Sequence, residues 1–288
     1  MSFLGIPIRA TWSCLDRDIM NGTRSIFAAK RATRLSLGAA DRGCFMTEET
    51  RQIKSKERVR NRGEVFTAPR EVNAMLDLVK DETENIESTF LEPACGDGNF
   101  LVEVLRRKLS ACLRKYGRSA ADYEKQSFLA CTTLYGVDIM SDNVVRCRER
   151  LFEIWEESFT PSLRSDFHAR VARAVKYVFS RNILIGNALS MKEVDIFQQD
   201  LETPIVFTEW KFALGDKLKR EEFRFDVLLG SGENAKKTMD TGQMTFFMDD
   251  ADDAANWMID PDDPERKRMI PSPSKSYPLI DYWRLGEE

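Results

Sequence analysis

A parallel-sheet α/β fold is predicted by three features of this chain. Short apolar runs alternate with segments of helical period. A glycine-containing turn sits where the first such run meets a long helix. Hydrophobic residues make up 42% of 288 positions, enough for a sizeable core. Strands separated by helices pair in parallel through right-handed crossovers, and helices are expected on both faces of the sheet.

The elements follow in order. Val72, Met75, Leu76 and Val79 keep a helical spacing after Pro69, giving a first helix. Thr89–Pro93 is a short strand, and Leu101, Val104, Leu105, Leu109, Cys112, Leu113 and Tyr116 form a strong amphipathic helix. Leu134–Asp138 is the second strand, followed by a helix with Val144, Val145, Leu151, Phe152 and Trp155. Thr160-Pro161 reads as a cap and first turn, opening a helix with Leu163, Phe167, Val171, Val175 and Val178 on one face. Asn182–Ile185 and Pro204–Trp210 complete the expected sheet as third and fourth strands.

Composition narrows the function. A formal charge of −4 argues against a protein that grips nucleic acid by net charge alone. No apolar run reaches the roughly 18–20 residues of a membrane helix. The six cysteines contain no C-x-x-C pair, and His168 is the single histidine. Reduced thiols, a cytoplasmic setting and no metal site are therefore expected. His168, beside Phe167 on an amphipathic helix, reads as a surface or boundary residue.

Both ends differ from the middle. Residues 1–45 carry seven basic and three acidic residues, a surplus of four that leaves −8 for the remainder. They resemble an organellar transit peptide in composition, but an extension upstream of a start at Met46 is the simpler reading. Residues 46–235 are read as the main domain and 236–288 as an acidic, largely irregular tail. Within that tail Tyr277, Leu279, Ile280, Tyr282, Trp283 and Leu285 are expected to dock back on the body.

The run Phe90-Leu91-Glu92-Pro93-Ala94-Cys95-Gly96-Asp97-Gly98-Asn99-Phe100-Leu101 is the most informative stretch. Ligands of open α/β sheets bind at such strand ends. Gly96 and Gly98 allow close approach of the backbone to a ligand. Leu101 stands where a dinucleotide fingerprint needs its third glycine, and the Gly-Lys-Ser/Thr of a phosphate loop is missing. Glu92 instead suits a cationic or hydroxyl-rich ligand.

This turn resembles the first motif of S-adenosylmethionine (SAM)-dependent methyltransferases, in the D/E-P-x-x-G-x-G-x-F form of amino-group DNA methyltransferases. Gly63-Glu64-Val65-Phe66-Thr67-Ala68-Pro69 is similar to the family's G-x-x-F-T-P element, with Ala68 interrupting Thr-Pro. Tyr135-Gly136-Val137-Asp138 resembles the G-x-D/E whose acid binds the ribose, and Gly186-Asn187-Ala188-Leu189 the G-D-A-L beside the adenine, with Asn187 for Asp. The resemblance spans about Gly63 to Leu189. It implies a Rossmann-like methyltransferase fold. The implied cofactor is SAM, held by Phe66, Thr67, Glu92, Pro93, Ala94, Gly96, Gly98, Phe100, Asp138, Ile139 and Asn187. Gly98 and Asp138 stand 40 residues apart, more than the ~30 of a compact βαβ unit. An additional helix or loop is therefore expected in Arg114–Ser127.

In adenine-N6 methyltransferases the family's D/N-P-P-Y/F loop accepts the amine hydrogens and stacks on the flipped base. The tetrapeptide does not occur in this sequence. Two stretches are candidates to replace it. Pro204–Trp210 ends in Glu209, a hydrogen-bond acceptor, and Trp210, an aromatic, and is preferred on spacing. Phe225-Asp226-Val227-Leu228-Leu229-Gly230-Ser231-Gly232-Glu233-Asn234 imitates the family's strand but ends differently. Arg51, Lys54, Lys56, Arg58, Arg60 and Arg62, around the single acid Glu57, form one candidate DNA-contact stripe, and Lys211, Lys217, Lys219, Arg220 and Arg224 a second. The resemblance implies adenine-specific methylation of double-stranded DNA within a restriction–modification system. The alternative is a SAM-binding, catalytically idle subunit of a restriction or phage system. A separate specificity or restriction subunit is an expected partner.

Overall fold

The computed structural model describes residues 58, 67–229, 256–259 and 269–287. Phe90–Glu92 (β1), Leu134–Asp138 (β2) and Ile183–Ile185 (β3) form a parallel sheet in that order. Phe90 lies opposite Leu134, and Gly136 opposite both Glu92 and Ile183. The helices Pro69–Asp77 (α1) and Lys80–Glu84 (α2) precede β1. Asn99–Tyr116 (α3) and Ala120–Thr132 (α4) connect β1 to β2, and Ser141–Glu157 (α5) and His168–Asn182 (α6) connect β2 to β3. Among the described residues no helix is long and apolar enough to cross a membrane.

The added element implied by the long Gly98–Asp138 spacing is α4. Ser119 caps it by accepting from the Asp122 amide at 3.3 Å, and it buries Tyr123, Phe128 and Cys131.

The helix expected from Pro161 begins later. Pro161–Leu163 is a single 3-10 turn, and α6 starts at His168. The chain is pinned between them. The Ser165 hydroxyl donates to Glu124 and accepts from the Phe167 amide at 3.1 Å. The His168 ring, stacked on Trp155 at 5.4 Å, reaches Glu124 at 2.6 Å and Glu156 at 3.3 Å. This wedge between α4 and α5 explains the lone histidine as a packing residue.

The connecting helices gather on one face of the sheet, and among the described residues the other face carries the four-residue helix Phe225–Leu228. Stepping β1→β2→β3 in one direction with right-handed crossovers puts every connecting helix on the same side. The alternation of strand residues agrees with it. Phe90, Leu134 and Ile183 enter the large core with Leu101, Leu105, Val144, Leu151 and Val175. Their neighbours Leu91, Tyr135, Val137 and Leu184 meet Ile205, Phe207 and Phe225 in a smaller cluster on the other face. A fully buried large apolar side chain is worth roughly 1.5–3 kcal/mol, so the helical face supplies most of the cohesion.

The run expected as a fourth parallel strand is also different. After the hairpin Lys192–Val194 (β4) and Asp200–Pro204 (β5), Val206–Leu214 (β6) pairs antiparallel with Lys217–Arg224 (β7). The short helix Phe225–Leu228 (α7) follows. Trp257–Ile259 (β8) pairs with Met269–Pro271 (β9), and Lys275–Asp281 (β10) adds to β7. Residues 275–285 do dock on the body: Tyr282 and Leu285 join the large core, and Tyr282 packs on Phe128 at 5.0 Å.

Lys108 on α3 ties the helix layer to the sheet. Its fully buried ammonium donates to the carbonyls of Asn85, Ile86 and Ser88 and to the Thr133 hydroxyl, the first two at 3.0 Å and the last at 2.9 Å. Burial pulls its pKa down to about 7. The four acceptors offset that cost and join the segments entering β1 and β2. Lys108→Met keeps the stem and removes the ammonium donor from all four acceptors. Urea denaturation is expected to report a loss of about 3 kcal/mol or more.

Candidate functional site

The carboxyl ends of β1, β2 and β3 gather most of the residues singled out in the sequence. Glu92 ends β1, Asp138 ends β2, and Asn187 follows β3 by two residues. The turn between Glu92 and α3 bends through two left-handed glycines, Gly96 at φ +53° and Gly98 at φ +92°. Its outer part is accessible: Ala94 is exposed, and Pro93, Gly96, Asp97, Asp138 and Ile139 are half-buried. Phe100 is half-buried and packs against the large core. Phe66, and with it the Gly63–Phe66 part of the upstream element, lies outside the described residues; Thr67 is within them.

Asp138 is the hub of this edge. One carboxylate oxygen accepts from the Gly96 amide at 2.9 Å. The other accepts from the Met140 amide at 2.8 Å and the Asn143 side chain at 3.2 Å. A single acid therefore fixes the glycine turn to the end of β2 and starts α5. Both oxygens hold protein donors. Asn187 is similarly engaged, accepting from the Leu189 amide at 3.0 Å and donating to Asp200 at 2.9 Å.

Glu92 accepts from the Ala94 amide, yet burial pushes its carboxyl pKa up to about 7. Desolvation outweighs the one hydrogen bond. A cation placed beside Glu92 would relieve this cost.

Gly98 has a reason that the sequence did not reveal. It is buried, and a Cβ there would sit 2.6 Å from the Cys147 sulfur on α5. Its missing side chain makes room for a helix, not for a ligand. Gly96 and the accessible turn around it are the part open to one.

Glu209 and Trp210 are not brought to this edge. A Cβ on Gly186, just past β3, would meet Ile205 at 2.6 Å, so β6 starts at the carboxyl end of the sheet. The Tyr135 hydroxyl then donates to the Thr208 carbonyl at 2.9 Å. Trp210 reaches Asn182, the residue before β3, donating to it at 2.9 Å. Asn182 itself donates to the carbonyls of Thr132 and Leu134, at the start of β2. Thus β6 runs opposite to the parallel strands and carries its acceptor and aromatic to their amino ends. Trp210 is buried against Tyr177, and Glu209 is buried and paired with Lys211 at 2.9 Å.

The preference for Pro204–Trp210 over Phe225–Asn234 reverses as a result. Arg224 lies opposite Val206, and the Phe225 amide donates to the Ile205 carbonyl at 2.8 Å. The return strand β7 delivers α7 to the carboxyl edge, where Leu228 and Leu229 pack on the smaller cluster. Gly230–Asn234 lies outside the described residues.

The second basic cluster dissolves into pairs. Lys211 meets Glu209, Lys217 meets Asp281, Lys219 meets Glu221 and Arg224 meets Asp226, while Arg220 is buried beneath Tyr277. In the first stripe only Arg58 is described. It forms a two-pronged bond to Asp142 in the first turn of α5, at 2.7 and 3.1 Å.

A cavity of about 250 Å³ lined by Asp81, Glu84, Asn85, Ala111, Arg114 and Lys115 lies instead toward the amino ends of the strands. Its Arg114 is already paired with Glu84 at 3.0 Å. No family model, curated protein or solved structure matches this chain.

Gly98→Ala combines the clash with Cys147 and a left-handed backbone, and is expected to cost about 2–4 kcal/mol. Adding Cys147→Ala should recover only the steric part, which a thermodynamic cycle by urea denaturation measures. Trp210→Phe removes the Asn182 bond and is expected to cost about 1–3 kcal/mol while leaving any ligand affinity at the carboxyl edge unchanged.

Proposed function

We propose that this chain binds SAM at the carboxyl ends of β1–β3 and serves as a methyltransferase-like subunit of a restriction or phage system. One observation carries the reading. Glu92, the Gly96 turn, Asp138 and Asn187 meet along one edge, while Glu209 and Trp210, the preferred stand-ins for the missing D/N-P-P-Y/F loop, lie at the other. This gathering supports the cofactor half of the resemblance, while the preferred catalytic stand-ins lie away from it. The arrangement of the sheet is compatible with a Rossmann-like methyltransferase fold, which this reading adopts.

The chemistry of the edge suits the ligand. SAM carries a sulfonium and an ammonium group, and a half-buried carboxylate with a raised pKa gains most from a nearby cation. SAM would supply an activated methyl group; the chain's own residues would bind and orient it. Thr67 and Glu92 are assigned to the methionine end, Asp138 to the ribose and Asn187 to the adenine.

A subunit role is supported by the β4–β5 hairpin, which leaves from the same edge. Ile196 and Phe197 at its tip are 89% and 72% exposed. The Asp195 carboxylate holds the turn by accepting from the amides of Phe197 and Gln199 at 2.8 and 2.9 Å. Glu193, Asp195, Asp200 and Glu202 outnumber Lys192 there. An apolar tip among acids suits a protein surface better than phosphates.

A second reading is favoured by the path of β7. Because Phe225 returns to the carboxyl edge, Glu233 or Asn234 would be the amine acceptor of an active adenine-N6 DNA methyltransferase. The Arg58 stripe would then meet the phosphates.

Titration calorimetry with SAM is expected to give a 1:1 complex. Affinity should rise about five- to tenfold from pH 6 to 7.5, because Glu92, with its pKa near 7, ionises over that range and the ionised form favours a cation. Glu92→Gln should flatten the profile. In the free protein the same raised pKa makes stability fall between pH 4.5 and 7, since the folded state there holds the extra proton; Glu92→Gln removes up to about 2–3 kcal/mol of that fall. Failure to bind millimolar SAM would end the proposal. Transfer of label from tritiated SAM to unmethylated DNA by the isolated chain, unaffected by Glu209→Ala, would select the second reading.

A further inference from the structure

The glycine turn is gripped by a side chain that none of the recognised motifs includes. Arg150, on α5, donates through one guanidinium nitrogen to the Asp97 carbonyl at 2.8 Å and to the Asn99 side-chain oxygen at 2.9 Å. The same nitrogen stands 3.1 Å from the Asp97 carboxylate, and the Arg150 side chain is 21% exposed. Asn99 passes the connection on, its amide donating to the Thr67 carbonyl at 3.2 Å. One helical turn before Arg150, Cys147 fills the space under Gly98.

We propose that Arg150 is a positioning residue of this site. It holds the glycine turn in its bound shape and, through Asn99, ties the Thr67–Pro69 segment to that turn. The two stretches that flank the ligand are thereby set by one cation on a third element. The consequence for ligand affinity rests on the SAM-binding reading; the consequence for the turn itself does not.

The turn contains two glycines with positive φ, and glycine carries the largest backbone entropy in the open state. Gly96 is tethered to Asp138 at one end of the turn. Arg150 is the complementary tether at the other end, on Asp97 and Asn99. A planar guanidinium directs its donors at several acceptors together, whereas a lysine ammonium is a flexible point charge. An ordered turn binds more tightly because the ordering is done before the ligand arrives.

Three variants separate this role from general stability. Arg150→Met removes the tether. Arg150→Lys keeps the charge. Asn99→Asp keeps an acceptor for Arg150 but loses the donor to Thr67. Hydrogen exchange on the unliganded protein follows the Gly96 and Gly98 amides, bonded to Asp138 and the Cys95 carbonyl, and the Glu71 and Val72 amides, bonded to the Ala68 carbonyl.

Arg150→Met is expected to speed exchange about tenfold at both places and leave the β2 and β3 amides unchanged. Arg150→Lys should restore part of the protection. Asn99→Asp should open the Glu71–Val72 pair alone. SAM calorimetry on the same proteins should show about tenfold weaker binding for Arg150→Met and an intermediate loss for Arg150→Lys. Unchanged exchange at Gly96 and Gly98, or equal acceleration over the whole chain, overturns the proposal. Wild-type protein that ignores SAM refutes the cofactor reading, and the exchange result still decides the role of Arg150.

Discussion

A right-handed crossover between parallel strands leaves the chain little freedom once it keeps stepping in the same direction. Each connection must pass over the same face, so the α3–α4 and α5–α6 connections share one side of the β1–β2–β3 sheet. The one-sided layer of connecting helices and the alignment of Glu92, Asp138 and Asn187 along one edge both follow. The second face must be covered from elsewhere, and Ile205, Phe207 and Phe225 cover it.

Within that frame one carboxylate organises the ligand edge. Asp138 accepts donors from the glycine turn, from its own loop and from α5, joining three segments at the end of β2. The acid expected to bind a ribose is first a structural bracket. Cys147 and Arg150 brace the turn from α5, so this helix, which contributes no recognised motif residue, shapes the edge.

Much of this was legible in the sequence, for identifiable reasons. Leu134–Asp138 was readable because a buried parallel strand is a continuous apolar run with sharp flanks. An added helix or loop was readable from a spacing too long for a simple crossover; its extent, Ala120–Thr132 rather than Arg114–Ser127, was not. The direction of Val206–Leu214 was not, since an apolar run carries no arrow. Its partner Lys217–Arg224 is rich in charge and does not read as a strand. Its charges are satisfied by Asp281, Glu221, Asp226 and the Tyr277 ring, none of which is near in the sequence except Glu221 and Asp226. The reason for Gly98 and the grip of Arg150 were equally hidden, because each depends on a residue about fifty positions away. His168 was read as a surface or boundary residue and is half-buried, but its stacking on Trp155 and its two glutamates could not be named beforehand.

The path of the β6–β7 hairpin has a mechanical consequence. Ile205, Phe207 and Phe225 anchor it in the smaller apolar cluster, while Trp210 and Leu218 anchor it in the larger one. It is a staple driven through both layers of the molecule. Neither layer peels away while the staple holds, so the thinly covered side melts together with the thick one, as a single cooperative block.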